Sequence, residues 1–165
     1  MLLAMSSDLH AFVVRPSAAA QIWATAVGVP VVDLPFGLNL IPLTDQVLSR
    51  TGDESDRVGG FYRLYTGLAE RGRLLSSEGQ VAYVYEESFG GTGIQEAVGW
   101  WDGAVAFGPR FTSDAKEDDR FETVPDPRQH AVNETLRWLG VDKSRAVDEF
   151  TAAGLDAHRH TTEWT

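Results

Sequence analysis

The sequence predicts an α+β fold, with an antiparallel sheet built on a central three-stranded meander at about residues 80–109 and flanking helices. In that stretch three apolar runs are separated by a glycine-rich loop and by Asp102-Gly103. An Asp-Gly pair between apolar runs is a strong hairpin signal, because a type I′ turn requires positive φ at both central residues. The first run is apolar on both faces, which is typical of a central strand. We expect a sheet of four or five strands, whose meander strands cover residues 81–87, 94–101 and 104–107.

The composition indicates one globular domain over residues 1–165. The chain length is typical of a single compact domain, and 43% hydrophobic with 23% charged residues is a globular composition. The absence of cysteine excludes disulfides and thiolate nucleophiles and fits a reducing compartment. The first residues lack a basic region and are too briefly apolar for a signal peptide or a membrane span, so we expect a cytoplasmic protein.

The N-terminal part predicts a strand, a helix and an extended segment. The run HAFVVR is β-like, and Ser17 can cap a helix through AAAQIWATAV. In that helix Ile22 and Trp23 are expected on a buried face together with Ala19 and Ala26. Two prolines in VVDLPFGLNLIPL then favour extended chain near a sheet edge.

Two further helices are expected before the meander. Thr44 can cap a short helix through DQVLSR, and a polar loop follows over residues 52–60. Apolar residues at helical spacing over residues 61–75 predict the next helix, although two glycines weaken it.

After the meander, Pro127 suits the first turn of a helix through HAVNETLRWLG. Val132, Leu136 and Leu139 share one face of that helix, so we expect them in the core. The stretch RAVDEFTAAG predicts a short helix. Trp164 is expected to anchor the C-terminal tail by packing.

The charge of the chain limits the class of partner. A formal net charge of −10 repels phosphate groups, which argues against nucleic acid and against an anionic membrane surface. The same charge favours encounter with a basic protein, although many soluble proteins are acidic only for solubility.

Residues 113–127 hold six acids and two basic residues, and therefore a formal charge of −4. Such a run is typical of a solvated loop, and the alternative is a binding surface for a basic partner. The candidate acidic residues of that surface are Asp114, Glu117, Asp118 and Asp119.

Trp100 and Trp101 are neighbours on a predicted strand, so their side chains point to opposite faces. One of them is expected in the core. The other becomes an interface candidate if it is exposed, because aromatic residues are common at binding hot spots. We assign Trp101 to the candidate binding surface.

Three glutamates offer an enzymatic alternative. Glu86 and Glu87, with Glu96 across the hairpin, can form an acid-base pair, because neighbouring carboxylates raise one another's pKa. Adjacent strand residues point to opposite faces, so only one of the first two can face a given pocket. The competing interpretation is that these are polar residues at a strand end.

Two weaker patterns concern metals and nucleotides. His158 and His160 alternate, so in an extended tail both can face one way and bind a metal, with Asp156 or Glu163 as a further ligand. The competing interpretation is that they are surface or packed histidines, and no metal is predicted.

The glycine-rich loop GGTG lacks the Lys and the following helix that nucleotide-binding loops require. We therefore predict no cofactor and assign the loop to backbone conformations with positive φ.

The combination of AYVYEESFGGTGIQEAVGWWDG, IPLTDQVLS, AVNETLRWLGV and DEFTAAGLDAHRHTTEW resembles a family of small, uncharacterised actinobacterial proteins. The resemblance runs from about residue 38 to the C-terminus, and its most specific part is FGGxGxQ at residues 89–95. The strand-GGxGxQ-strand arrangement is also similar to that of some immunity proteins of bacterial toxin systems. This resemblance supplies no catalytic residues.

Together, the resemblance and the charge imply a non-enzymatic binding protein of immunity or antitoxin type, with a basic protein such as a toxin as its partner. An enzyme that uses one of the three glutamates and a self-associating structural protein are the alternatives.

Overall fold

Among the residues that the structure describes, seven strands form one sheet in the order β2-β3-β1-β4-β5-β6-β7, antiparallel except for the β6–β7 pair. The structure is a computed structural model that describes residues 6–89, 92–116 and 118–165, without the Thr92 side chain. The strands are β1 (Ser6–Val14), β2 (Val32–Leu34), β3 (Leu38–Pro42), β4 (Val81–Phe89), β5 (Thr92–Trp101), β6 (Ala104–Ser113) and β7 (Glu122–Thr123). The α+β class and the central position of β4 are confirmed. The expected four or five strands were too few, because β2 and β7 are too short to show a strand pattern.

Helices cover both faces of the sheet. They are α1 (Ala18–Val27), α2 (Asp45–Thr51), α3 (Thr66–Leu75), α4 (Ala131–Trp138) and α5 (Glu149–Ala152). One core lies between the sheet and the first three helices, around Phe12, Trp23 and Tyr83. The other lies between the sheet and the last two helices, around Leu136 and Leu155. Among the described residues, no helix has the length and apolar character needed to cross a membrane.

The meander is confirmed, and its strands are longer than predicted. Asp102 and Gly103 have φ of 50° and 79°, as the turn requires. β6 continues past Gly108 and Pro109 to Ser113. Proline is tolerated there because β6 lies near the sheet edge and β7 pairs only with its last two residues.

Replacing Gly103 by Val should lower the free energy of unfolding by about 1 kcal/mol or more, because a β-branched residue resists positive φ. Chemical denaturation measures this loss. Asp102→Asn is the matched control, because Asn tolerates positive φ and should leave stability nearly unchanged. Equal stability of the wild type and the Gly103→Val variant would contradict the turn assignment.

Helix α1 has the predicted bounds, but the residues on its buried face differ in part from the prediction. The Ser17 side chain accepts a hydrogen bond from the Ala20 amide, as expected of an N-cap. Trp23 is buried, but the predictions for Ile22 and Ala26 were wrong, since Ile22 is 69% exposed and Ala26 is also exposed. The buried stripe is the one that contains Ala20, Trp23, Ala24 and Val27. Ile22 is turned away because adjacent helical residues differ by about 100° around the axis.

Helix α3 begins at Thr66, five residues later than predicted. Phe61, Leu64 and Tyr65 are buried as expected, but they lie in a non-helical segment. This segment is fixed by the side chain of Glu96, which accepts hydrogen bonds from two of its amides.

The C-terminal helices are also shorter than predicted. Residues Pro127–Gln129 form a 3-10 turn, and α4 starts only at Ala131. Asp148 caps α5, so the preceding part of RAVDEFTAAG is not helical. The core positions expected in α4 are confirmed, since the side chains of Val132, Leu136 and Leu139 are buried.

The C-terminal tail closes the open side of β1. The Asp8 amide donates to the Arg159 carbonyl, and the His10 amide donates to the Thr161 hydroxyl. Trp164 is buried at 7% exposure, which confirms its expected packing. The tail thus replaces β3 as the neighbour of the first half of β1.

Candidate functional site

A polar cleft lies where β1, β4, the C-terminal tail and the start of α2 meet. Its volume is about 390 Å³. Asp8 and His10 of β1 lie opposite Glu87 and Tyr85 of β4 in the sheet register. Because alternate strand residues share a face, these four side chains point to the same side. Arg63, from the segment before α3, also lines the cleft.

Arg63 is placed in the cleft by a backbone and a side-chain contact. Its amide donates to the buried Glu96 carboxylate at 3.3 Å, and its guanidinium lies over the Tyr85 ring at 5.7 Å. The Arg63 Nε atom is buried and has no hydrogen-bond partner among the residues that the structure describes. Among the described residues no carboxylate forms an ion pair with this guanidinium.

His10 is 3% exposed, and its Nε2 atom has no hydrogen-bond partner within the described ranges. The ring lies edge-on to Tyr83 and Tyr85, with centroid distances of 5.4 Å and 5.3 Å. Burial lowers the pKa of His10 to about 3, with a further contribution from the positive charge of Arg63. The imidazole is therefore neutral at physiological pH.

Asp8 connects the cleft to the C-terminal tail. His160 Nδ1 lies 2.7 Å from one oxygen of the Asp8 carboxylate, and the Thr161 hydroxyl donates to the other at 2.7 Å. Partial burial raises the pKa of Asp8, but the hydrogen bonds from His160 and Thr161 outweigh it and leave the pKa below its ordinary value. The ionised carboxylate is thus the form that the fold stabilises.

The lowered pKa of Asp8 predicts a pH-dependent contribution to stability. A depressed pKa contributes stability that is present above the unfolded-state pKa and is lost as pH falls through the folded-state pKa. The stability advantage of the wild type over Asp8→Asn should be largest near neutral pH and should be lost as pH falls through the lowered folded-state pKa of Asp8. Denaturation of both proteins across that range measures it. An advantage that grows toward acid would contradict the hydrogen-bond network.

Of the three predicted glutamates, Glu87 lines the polar cleft. The Tyr85 hydroxyl donates to the Glu87 carboxylate, and burial together with this bond raises the pKa of Tyr85. Glu86 points to the opposite face, as the alternation predicts. It lines two cavities of about 210 Å³ each, and burial raises the pKa of its carboxyl.

Glu96 is fully buried and has a structural role. It accepts hydrogen bonds from the Tyr62 amide at 2.7 Å, the Arg63 amide at 3.3 Å and the Tyr83 hydroxyl at 3.3 Å. Burial raises the pKa of Glu96, against the opposing effect of these bonds. The side chain therefore holds the segment that carries Arg63 against β5.

Three acids of the segment that follows β6 have partners within the protein. Asp114 lies 2.8 Å from His130 Nε2, Asp118 pairs with Arg120 at 2.9 Å, and the exposed Asp119 lies 3.8 Å from Lys116. Glu117, the fourth predicted acid, lies outside the described residues.

Trp101 is 54% exposed, whereas Trp100 is 4% exposed, so the predicted division between the two is confirmed. Trp101 directly precedes the turn into β6. In the described part of the chain, no strand pairs with the outer edge of β6 before Thr112. Val105 on this edge is 57% exposed.

An apolar groove of about 380 Å³ runs beside this edge. α3 and the segment before it form one wall, and β5 and β6 form the other. Its main apolar side chains are those of Phe61, Leu64, Ala69, Trp100, Val105 and Pro109. The groove and Trp101 lie on opposite faces of the sheet, because Trp101 follows Trp100 on the strand.

The two predicted metal ligands are separated in the structure. His160 binds Asp8, and the His158 ring packs edge-on against Trp164 at 4.7 Å. Over the described ranges, no group of three or more His, Asp or Glu side chains is arranged to hold a metal ion.

Gly90 and Gly91 of the glycine loop lie outside the described residues. The chain after it is the strand β5 and not a helix. Gln95, which ends the FGGxGxQ motif, accepts a hydrogen bond from the Val132 amide at 2.9 Å. Gln95 thus supplies an acceptor for an amide in the first turn of α4, which has no partner within the helix.

Sequence reasoning missed His10, Arg63 and Tyr85 as site residues. The alternation of Asp8 and His10 in β1 was a usable signal, but nothing local places Arg63 beside them. Comparisons with protein-family models, curated proteins and solved structures find no match to this chain, so its function is argued from the polar cleft and the β6 edge.

Proposed function

We propose that the protein is a non-enzymatic, cytoplasmic binding protein of immunity or antitoxin type, which binds a basic protein partner along the outer edge of β6. The observation that carries the proposal is the outer β6 edge over residues 104–111, which pairs with no described strand and has exposed apolar side chains beside it. An exposed apolar edge strand invites pairing with another chain unless it is protected. A partner that binds there satisfies the backbone groups and covers the apolar surface.

The groove and Trp101 supply the apolar part of this interface. A partner strand that adds to β6 directs alternate side chains to opposite faces of the sheet. On one face such a side chain can enter the apolar groove beside Val105. On the other face Trp101 offers a large exposed ring, and Trp is enriched among binding hot spots.

The charge of the chain supports a basic partner. The net charge is −10, and the acidic segment begins at Asp114, directly after the last residue of β6. Asp118 and Asp119 pair with Arg120 and Lys116 within the segment, but the Asp119 side chain stays exposed and that of Asp118 stays partly exposed. A basic group at the matching end of the partner strand would complement them.

Association with the partner should depend on salt and on these acids. The on-rate should fall by about tenfold or more between low and physiological salt, while dissociation changes less, because screening acts mainly on the encounter. Asp118→Asn with Asp119→Asn should lower the on-rate with little loss of stability. Surface plasmon resonance at several salt concentrations measures both effects.

The matched control is Asp33→Asn with Asp156→Asn, which changes the net charge equally at exposed positions, with Asp33 on β2 at the sheet edge far from β6. This control should retain more of the wild-type on-rate than the loop variant. An association rate that changes neither with salt concentration nor with the loop substitutions would contradict the proposal.

A second candidate function is an enzyme that uses Glu86 or Glu87 as general acid or base. The favouring observation is the half-buried Glu86, which lines two cavities and whose pKa is raised by burial, as is common for catalytic acids. Turnover that is abolished by Glu86→Gln or Glu87→Gln in a folded protein would establish it. Self-association through the same β6 edge is the third candidate, and light scattering across a concentration series separates it from partner binding.

A further inference from the structure

We propose that the polar cleft binds a small zwitterion of amino-acid size, with the ligand carboxylate on Arg63 and His10 and the ligand ammonium group toward Glu87 and Asp45. This site lies apart from the β6 edge, so it goes beyond the function proposed above. The cleft volume of about 390 Å³ lies within the range of small-molecule sites.

The inner part of the cleft holds hydrogen-bonding groups that the protein leaves unused. The buried Nε of Arg63 and the buried Nε2 of His10 have no hydrogen-bond partner in the part of the chain that the structure describes. Both side chains contact the ring of Tyr85, which places them beside each other. Unsatisfied buried polar atoms cost stability, and a ligand is one way to satisfy them.

A carboxylate is the group that fits these atoms. A guanidinium donates along its Nε edge to carboxylate oxygens with favourable geometry. The neutral His10 can carry its proton on Nε2 and donate to the same group. Its pKa of about 3 means that it supplies a hydrogen bond and no charge.

The outer part of the cleft holds negative charge instead. Asp45 and Glu87 line the cleft and are exposed, and neither forms an ion pair with a described cation. Glu87 accepts one hydrogen bond, from Tyr85. Both carboxylates can therefore accept hydrogen bonds from a ligand ammonium group.

Among the described residues, the cleft thus contains one cation without an ion-pair partner, Arg63, and two carboxylates without one, Asp45 and Glu87. An anion such as phosphate would be repelled by the two carboxylates, and a simple cation would leave Arg63 unsatisfied. A ligand with one carboxylate and one ammonium group complements both ends at once.

The test is thermal unfolding of the full chain with each proteinogenic L-amino acid at about 10 mM, followed by calorimetry with the best one, since a ligand that binds only the native state raises its stability. We expect at least one amino acid to raise the Tm. Its N-acetyl and its carboxamide derivatives should each bind about tenfold more weakly or worse, because each lacks one charge.

Arg63→Gln should weaken binding by about tenfold or more, while Arg145→Gln, at an exposed position that does not line the cleft, should leave it unchanged. Three outcomes would overturn the proposal. They are the absence of stabilisation by any amino acid, equal binding of the N-acetyl derivative, and equal stabilisation by inorganic phosphate. The derivatives decide the question even if the Arg63 variant is poorly folded.

Discussion

Replacing Glu96 by Ala should lower the free energy of unfolding by about 2–4 kcal/mol, because it leaves buried donors without an acceptor. The carboxylate accepts from the amides of Tyr62 and Arg63 and from the Tyr83 hydroxyl, and its residue is fully buried. No other described residue accepts from these donors. Urea denaturation of the variant measures the loss.

Glu96→Gln is the control, because it keeps a side-chain acceptor at the same place. Burial raises the folded-state pKa of Glu96. The contribution of Glu96 to the free energy of unfolding is therefore fully present below the unfolded-state pKa and is lost as pH rises through the folded-state pKa. The advantage of the wild type over Glu96→Gln should therefore shrink as pH rises. Equal stability of Glu96→Ala and the wild type would mean that water replaces these bonds without cost.

Replacing Gly72 by Ala should lower the free energy of unfolding by about 1–3 kcal/mol, the cost of overpacking a core. In a solvent-exposed helix the same change stabilises by about 0.5–1 kcal/mol. The sign of the change in unfolding free energy therefore tells whether Gly72 is packed or exposed. A Cβ at Gly72 would lie 2.5 Å from Cζ3 of Trp100, and Trp100 is held in the core against Phe12. Thermal and urea denaturation measure the change.

The double-mutant cycle with Trp100→Leu isolates this contact. The smaller side chain makes room, so Gly72→Ala should cost much less in the Trp100→Leu background than in the wild type. A stabilising effect of Gly72→Ala alone would show that α3 does not pack on Trp100 as described.

Local chemistry explains which parts of the fold were predictable. Asp102-Gly103 specifies a turn through its own backbone preferences, and Ser17 caps α1 through a bond to a residue three positions away. Such signals depend on neighbours in the sequence. The orientation of Ile22 was mispredicted because it depends on which face of α1 meets the sheet.

The cleft was not predictable because it depends on contacts between distant parts of the chain. The pairing of β1 with β4 brings Asp8 opposite Glu87, and the tail brings His160 to Asp8. Arg63 reaches the cleft through the bond of its amide to Glu96. Sequence periodicity places a residue on a face, but it does not give the register between strands separated by many residues.

The most direct test of the proposed function is hydrogen exchange of the complex with the partner that is captured at low salt and released by salt. Pairing with an added strand should slow exchange of the outward-facing amides in residues 104–111, because unpaired edge amides exchange readily until they are bonded. Trp101→Ala should weaken the same complex by about thirtyfold or more, as for a hot-spot residue. Unchanged exchange along β6, with protection elsewhere on the sheet, would contradict binding at this edge.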